Sequence, residues 1–116
     1  MLYDHTAIIK EFCIASASAE EWQAAIDLVI HAGYAFPITV PDWKNHTHNE
    51  VPAIQLTWQG RQRFIEILLQ RGWPLSAIYE QLRKTHETSL GYFLTMFEVR
   101  IAREKAAVHP REPQRS

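Results

Sequence analysis

Residues 58–103 read WQGRQRFIEILLQRGWPLSAIYEQLRKTHETSLGYFLTMFEVRIAR and contain three apolar-striped segments joined by very short breaks. Apolar residues spaced three and four positions apart are typical of helices that bury one face. The first segment begins after Thr57, a suitable cap, and ends at Gly72. Its stripe is formed by Phe64, Ile65, Leu68 and Leu69. We therefore expect three consecutive helices here, against which the rest of the chain packs.

The two following helices are predicted to be separated by a turn at residues 85–88. Pro74 suits the first turn of the earlier one, because it lacks an amide that would be orphaned there. Thr88 or Ser89 is expected to cap the later one. The predicted buried stripes contain Leu75, Ile78 and Leu82 in the first of these helices, and Leu90, Phe93, Leu94, Phe97 and Ile101 in the second.

Two shorter helices are predicted near the start of the chain. The first covers about residues 5–15, with Asp4 as its N-cap. Its stripe is formed by Ile8, Ile9, Phe12 and Cys13. The second begins at a capping box in which Ser18 and Glu21 satisfy each other's backbone amides. It ends at Gly33, because glycine readily adopts the left-handed conformation that closes a helix.

Between the second and third helices the period changes from helical to alternating. Residues 34–40 and 53–57 alternate in the manner of strands, and Pro37 restricts the first of them to a sheet edge. The polar stretch 41–52 is predicted to be an exposed loop at the tip. The predicted fold is mainly α, with about five helices and a wing-like β-hairpin between helices two and three. We expect residues 1–106 to form a single helical domain and residues 107–116 to form a flexible tail.

Composition places the chain among ordinary globular domains. It has 116 residues, 47% of them hydrophobic and 22% charged, and a single cysteine, Cys13. One cysteine allows no intrachain disulfide, which suits a reducing compartment, and no apolar run approaches the length of a membrane span. The N-terminus has no signal-peptide pattern. We therefore expect a cytoplasmic protein that makes no membrane contact.

Charge is unevenly distributed along the chain. The overall net charge of −1 argues against a strongly basic DNA-coating protein. Residues 1–60 contain two cations and seven acids, a net charge of −5, whereas residues 61–116 contain ten cations and six acids, a net charge of +4. Such asymmetry indicates an oriented contact with a charged partner, although it also occurs on ordinary solvated surfaces.

Two partial resemblances point to nucleic acid. The pattern Leu69-x-x-Gly72-Trp73-x-Leu75-x-x-Ile78-Tyr79-Glu80-x-Leu82-Arg83, followed by Tyr92-Phe93 and Arg100, resembles the TraK-type accessory proteins of conjugative plasmids. Those proteins bind DNA at the origin of transfer. Ala32-Gly33-Tyr34, the hairpin, and Leu56-Thr57-Trp58-Gln59-Gly60 before a helix look like winged-helix modules of phage and mobile-element proteins. The resemblances imply a helix-turn-helix unit at helices four and five, with the hairpin as its wing.

The first functional hypothesis is a small non-enzymatic nucleic-acid-binding accessory or regulatory protein of a phage, plasmid or integrative element. Helix five begins without the Arg, Lys, Asn or Gln side chains that bond base edges, so its late cations suit phosphate contacts better. The candidate nucleic-acid-binding residues are Lys44, His46, His48, Arg83, Lys84, Arg100, Arg103 and Lys105. Interspersed acids could also pair with these cations on a solvated surface.

The alternative is a protein-binding inhibitor encoded by a mobile element, such as an anti-CRISPR or anti-restriction protein. It would occupy a nucleic-acid or subunit interface, and a homodimer is compatible with either hypothesis. Apolar side chains off the main stripes are the candidate anchors: Trp43, Tyr92, Met96 and Val99. The competing interpretation is that those of helix five widen the core.

Catalytic and metal chemistry find little support in the sequence. His46 and His48, with Asp42 and Glu50 nearby, are the best metal candidates, but no cysteine pair or HExxH spacing accompanies them. The four glycines are scattered, so there is no phosphate-cradling loop. We expect no cofactor, no metal and no enzymatic activity.

Overall fold

The computed structural model describes residues 3–12, 17–42, 45 and 49–108, with the side chains of His5 and Val108 left aside. Within this part of the chain there are five helices and one two-stranded sheet, with the hairpin between the second and third helices. The mainly α fold predicted from the sequence is therefore confirmed. The elements are α1 (His5–Phe12), α2 (Ala19–His31), β1 (Ala35–Pro41), β2 (Glu50–Leu56), α3 (Trp58–Gln70), α4 (Leu75–Lys84) and α5 (Glu87–Val108).

Local capping chemistry begins and ends most helices where it was predicted. Ser18 Oγ accepts the Glu21 amide at 3.1 Å, and Glu21 Oε1 accepts the Ser18 amide at 3.0 Å, which completes the capping box of α2. Thr57 Oγ1 accepts the Gly60 amide at the start of α3. Gly33 and Gly72 follow α2 and α3 with positive φ angles of 81° and 88°, values that side chains disfavour.

The start and end of α5 differ from the prediction. Thr88 and Ser89 lie inside the helix, and His86 precedes it. The Leu90 amide donates to the carbonyl of His86, and the Thr88 amide to its Nδ1 at 3.3 Å, so the imidazole takes the place of the expected hydroxyl. The helix continues through Val108, two residues into the segment that we expected to be a tail. Pro74 is the N-cap of α4, one position before its first turn.

The strands pair antiparallel, with Ala35 opposite Leu56 and Pro41 opposite Glu50. Both are longer toward the tip than predicted, so the connecting loop is shorter than residues 41–52. Just beyond the strands, the Thr57 amide donates to the Tyr34 carbonyl and the Asp42 amide to Asn49. In an antiparallel pair of strands, hydrogen-bonded and non-hydrogen-bonded residue pairs alternate. The even-numbered residues of β1 therefore form backbone hydrogen bonds with β2, whereas the backbone groups of its odd-numbered residues point away from β2.

Helix α5 is the centre of the molecule. It contacts α1, α2, α3 and β2, and residues 93–99 are all buried. Phe97 is fully buried, with its ring 4.1 Å from that of Phe12 and 5.2 Å from that of Phe64, measured between centroids. A helix enclosed around its whole circumference behaves as a core element instead of a surface one.

Two glycines allow the helices to approach the hairpin closely. A Cβ atom at Gly60 would lie 1.9 Å from the Tyr34 carbonyl oxygen, and one at Gly91 would lie 2.6 Å from the Ile54 carbonyl oxygen. Any side chain at either position would force backbone apart, because these contacts are far shorter than van der Waals distance. The hairpin is thus held against the beginnings of α3 and α5.

The predicted stripes of α1, α3 and α4 include residues that the fold leaves at the surface. Ile9, Leu69 and Leu75 are 48%, 47% and 44% exposed, so their assignment to the core was wrong. The glutamine at position 81 is buried instead, and Gln81 Nε2 donates to the Tyr3 carbonyl at 3.0 Å. Each of these helices packs on fewer neighbours than α5, so its buried face is narrower than its apolar stripe.

Candidate protein-binding groove

The predicted phosphate-binding arginines of α5 are engaged in ion pairs. Arg103 donates to both carboxylate oxygens of Glu21, at 2.8 and 2.9 Å. This contact holds the pKa of the Glu21 carboxyl down, from 4.5 to about 2, and raises the pKa of Arg103. Arg100 donates to Glu104 at 3.1 Å, and Arg71 donates to the same carboxylate, whose pKa is lowered chiefly by Arg71.

The remaining predicted cations are more accessible. Arg83 and Lys84 share the single carboxylate of Glu80 and stay 70% and 60% exposed. Lys105 is exposed and makes no ion pair within the part of the chain that the structure describes. The other predicted nucleic-acid-binding residues, Lys44, His46 and His48, lie outside the described residues, as does Trp43 of the alternative set.

The three predicted interface residues of α5 have different environments. Met96 and Val99 are 4% and 3% exposed, so neither can anchor a partner, and the interpretation that they widen the core is the correct one. Tyr92 is 54% exposed. Because α5 is enclosed along residues 93–99, this part of the helix has no free face that could enter a DNA groove.

Tyr92 forms one wall of an open apolar groove between α2, the hairpin and the start of α5. The groove has a volume of about 440 Å³ and is lined mainly by apolar side chains, among them Trp22, Ile26, Ile30, Pro37, Ile54 and Tyr92. Binding sites are typically concave and apolar, with volumes of about 300–1,000 Å³. The groove therefore has the size and surface of a site for an apolar ligand or a short protein segment.

The groove follows from local sequence. Trp22, Ile26 and Ile30 recur every four residues and so lie along one face of α2. Gly91 lets β2 approach the start of α5, so that Tyr92 projects beside the hairpin. The rings of Trp22 and Tyr92 stack at a centroid distance of 5.4 Å and an interplanar angle of 20°. This stacked pair makes a rigid aromatic surface, because each ring restrains the other.

Acidic side chains lie on the elements that form the groove, but none of them is among its lining residues. Gln23, one of its lining residues, donates to Asp27 Oδ1 at 2.9 Å. Glu50 lies on the same sheet face as Pro52, another lining residue, and accepts the Thr39 hydroxyl at 2.5 Å. Glu20 is exposed near the start of α2. Glu20, Asp27 and Glu50 make no ion pair with any described residue, so their charges are available to a partner.

One buried ion pair belongs to the core and not to the groove. Arg63 donates from Nε to Glu98 at 2.8 Å and from a terminal nitrogen at 3.2 Å, linking α3 to α5. The side chain of Glu98 is 5% exposed and that of Arg63 is 22% exposed. The hydrogen bond to Glu98 raises the pKa of the Arg63 guanidinium, which stays charged. The pair joins two helices and lies outside the groove.

The described residues contain no group of three or more His, Cys, Asp or Glu side chains that could hold a metal ion. The metal candidates singled out from the sequence, His46 and His48, are outside them. Within the same ranges, no helix is long and apolar enough to cross a membrane.

Sequence reasoning missed most of this groove. It singled out only Tyr92, as a candidate anchor at a protein interface. The available signal was the apolar face of α2 that contains Trp22, Ile26 and Ile30, since an apolar surface wider than one neighbouring element can cover leaves part of itself exposed.

No family model, curated protein or solved structure matches the chain. The resemblance to TraK-type and winged-helix proteins therefore stays a prediction.

Proposed function

We propose that this chain is a small non-enzymatic protein-binding module that holds an apolar segment of a partner protein in the groove between α2, the hairpin and α5. The observation that carries the proposal is the stacked Trp22–Tyr92 pair in the wall of an open apolar groove. Aromatic side chains in apolar pockets supply a large share of binding free energy at protein interfaces.

The charge around the groove favours a cationic partner. Glu20, Asp27 and Glu50 have no internal counterion among the described residues, so lysine or arginine residues flanking the bound segment would pair with them. Proteins that handle nucleic acid carry such cationic surfaces. The proposed role is therefore an inhibitor or regulator that occupies a nucleic-acid or subunit interface, in keeping with the anti-CRISPR or anti-restriction hypothesis.

Nucleic-acid binding is the second candidate. It is favoured by Arg83 and Lys84, which remain largely exposed and have only one carboxylate between them. Contacts of this kind would be made to phosphate and would not distinguish sequences. The pairing of Arg100 and Arg103 with internal carboxylates weakens this candidate, because a phosphate would have to displace Glu104 and Glu21.

Selection from a displayed library of random peptides about twelve residues long tests the first proposal. Enriched peptides should combine an apolar centre with flanking Lys or Arg. Tyr92→Ala should weaken their binding by at least about ten-fold, as expected for an aromatic anchor. Tyr79→Ala is the matched control, because Tyr79 is also 54% exposed but lies on α4. Equal binding by the two variants would rule out the groove as the site.

A titration on short duplex DNA at several salt concentrations tests the second candidate. If DNA is the ligand, Arg83→Glu combined with Lys84→Glu should weaken binding and reduce its dependence on salt. If the protein-binding proposal is correct, the parent protein should bind the duplex only weakly, and Tyr92→Ala should leave that weak binding unchanged.

A further inference from the structure

The groove offers a bound segment few backbone hydrogen bonds. Two of its walls are the helices α2 and α5, whose backbone groups bond mainly within each helix. The third wall is the hairpin, where the lining residues Pro37 and Pro52 have no amide hydrogen. Both prolines occupy positions whose backbone groups point away from the partner strand. A bound segment therefore cannot extend the sheet at either position, since strand addition needs those donors.

The polar side chains of the groove are already bonded within the chain. Gln23 Nε2 donates to Asp27 Oδ1 at 2.9 Å. In α5, Thr95 Oγ1 donates to a carbonyl of its own helix at 2.9 Å, and Thr88 Oγ1 lies 2.9 Å from the imidazole nitrogen that caps the helix. An extended segment buried here would leave its own amides and carbonyls without partners, which costs free energy for each group. A helix avoids this cost because it forms its backbone hydrogen bonds internally.

The α2 wall has the spacing of a helix-binding surface. Trp22, Ile26 and Ile30 are partly exposed and lie about one turn apart, in a row ~12 Å long with steps of ~6 Å. Apolar residues at positions i, i+4 and i+7 of a second helix recur at nearly the same spacing, so the two rows can interdigitate. Both α2 and the hairpin pack on α5 but contact each other less, which leaves the groove open between them. About two turns of helix therefore fit along it.

Carboxylates lie beside the groove on two of its walls. Asp27 accepts a hydrogen bond from the lining residue Gln23, and Glu50 lies two residues before Pro52 on the same face of the sheet. Neither carboxylate makes an ion pair with a described residue. A helix between these walls would bring cations on both flanks of its apolar stripe toward them, whereas an acidic helix would be repelled. The charges therefore favour a basic amphipathic helix.

We infer that the segment held by the groove is a basic amphipathic helix of a partner protein. About two turns of it would contact the groove, with its apolar residues against Trp22, Ile26 and Tyr92. Lysine or arginine residues on both sides of the apolar stripe would pair with Asp27 and Glu50. The helix rests on the proposed function, since the groove must first bind a protein segment, and it adds the conformation and charge of that segment.

Peptides that are enriched on the parent chain and weakened by Tyr92→Ala provide the test. In each peptide, a central position is chosen at which alanine leaves binding unchanged, so that its side chain makes no contact that matters. Proline at that position should weaken binding by at least about ten-fold, because proline breaks a helix whereas alanine favours one. Carbon chemical shifts of an isotope-labelled peptide should also become helical on binding. Tolerance of proline, or extended shifts in the complex, would overturn the helix.

The charge of the helix is tested on the same peptides. Asp27→Lys should weaken their binding by at least about three-fold at low salt, and by less at high salt. Glu66→Lys is the matched control, because Glu66 has the same charge, a side chain that is 59% exposed and a position on α3 outside the groove. Equal effects of the two variants would overturn the basic character of the helix.

The helix and the groove can fail separately. If Tyr92-dependent peptides tolerate proline or distinguish neither charge variant, the groove remains the site and the basic helix is wrong. If no enriched peptide depends on Tyr92, the groove is not the site, and both the proposed function and the helix are wrong.

Discussion

At the scale of single residues, the Arg63–Glu98 pair has the clearest energetic consequence. Glu98 lies on the helix that is enclosed on all sides, where an unpaired charge would be poorly solvated. Its carboxylate is satisfied by two donors from one guanidinium, which is the geometry that gives arginine–carboxylate pairs their strength. The pair therefore specifies how α3 packs on α5.

We predict that Glu98→Gln lowers the free energy of unfolding by about 2–4 kcal/mol. Breaking a buried ion pair typically costs ~3–5 kcal/mol, and partial exposure of Arg63 reduces that cost. Urea denaturation measures the change. Glu66→Gln is the matched control, because Glu66 contacts the same arginine but is 59% exposed, so its loss should cost less than about 1 kcal/mol. Similar losses in both variants would contradict the structural role of Glu98.

At the scale of elements, the junction between the hairpin and α3 depends on close backbone contact. Thr57 connects β2 to α3 by accepting the Gly60 amide and donating its hydroxyl to the Gly33 carbonyl at 2.5 Å. Gly60 then passes directly against the Tyr34 carbonyl. The ends of α2 and β2 are thereby held together, which positions the hairpin as a wall of the groove.

We predict that Gly60→Ala lowers the free energy of unfolding by at least about 2 kcal/mol. Alanine normally stabilises a helix by ~1 kcal/mol relative to glycine, but the clash with a backbone oxygen should outweigh this gain. Thermal and urea denaturation give the measurement. Gly72→Ala is the comparison, because its Cβ would meet open space and only the positive φ is strained, at ~1 kcal/mol. If Gly60→Ala left the free energy of unfolding unchanged, the backbone at Tyr34 would have moved enough to accommodate the added methyl group.

At the scale of the whole molecule, a contact between distant parts of the chain couples α2 to α5. Arg103 and Glu21 are 82 positions apart, and their contact holds the first turn of α2 against the last turns of α5. Trp22, in the aromatic wall of the groove, is the next residue along α2. Arg100 and Arg103, which the sequence indicated as phosphate-binding cations, are instead paired with carboxylates of the same chain.

We predict that acid weakens this coupling. The pKa of Glu21 is about 2 in the folded chain, against an ordinary value of 4.5, mainly because Arg103 donates to its carboxylate. Because this pKa is lower in the folded chain than in the unfolded one, the ionised Glu21 carboxylate stabilises the fold above pH 4.5. That stabilisation is lost as the pH falls from 4.5 toward 2 and the carboxylate takes up a proton. The melting temperature of the parent chain should therefore exceed that of Glu21→Gln at pH 6, and the difference should vanish near pH 2.

Glutamine is a suitable replacement because it can complete the capping box, so Glu21→Gln removes the ion pair and keeps the cap. The control is Glu20→Gln, since Glu20 makes no ion pair with a described residue. It should melt like the parent chain across the same pH range. If the difference in melting temperature between Glu21→Gln and the parent chain did not change with pH, the contact with Arg103 would not be lowering the pKa of Glu21.

Features that depend on neighbouring residues could be predicted from the sequence. The capping box at Ser18, the cap at Thr57, the glycine stops and the alternating strands all follow from backbone chemistry within a few positions. The element order and the mainly α class follow from these signals. Of the residues that line the groove, only Tyr92 was identified, because its position away from the main stripe of α5 is itself a local property.

The tertiary structure alone decided how many neighbours each helix has. Periodicity shows which side of a helix is apolar, but α5 is covered on every side along residues 93–99, which buries Met96 and Val99, whereas α4 leaves Leu75 exposed. Likewise, the sequence counts charges but cannot pair Arg103 with a carboxylate 82 positions away. Such pairings depend on where helices cross, and those crossings are set by packing of the whole core.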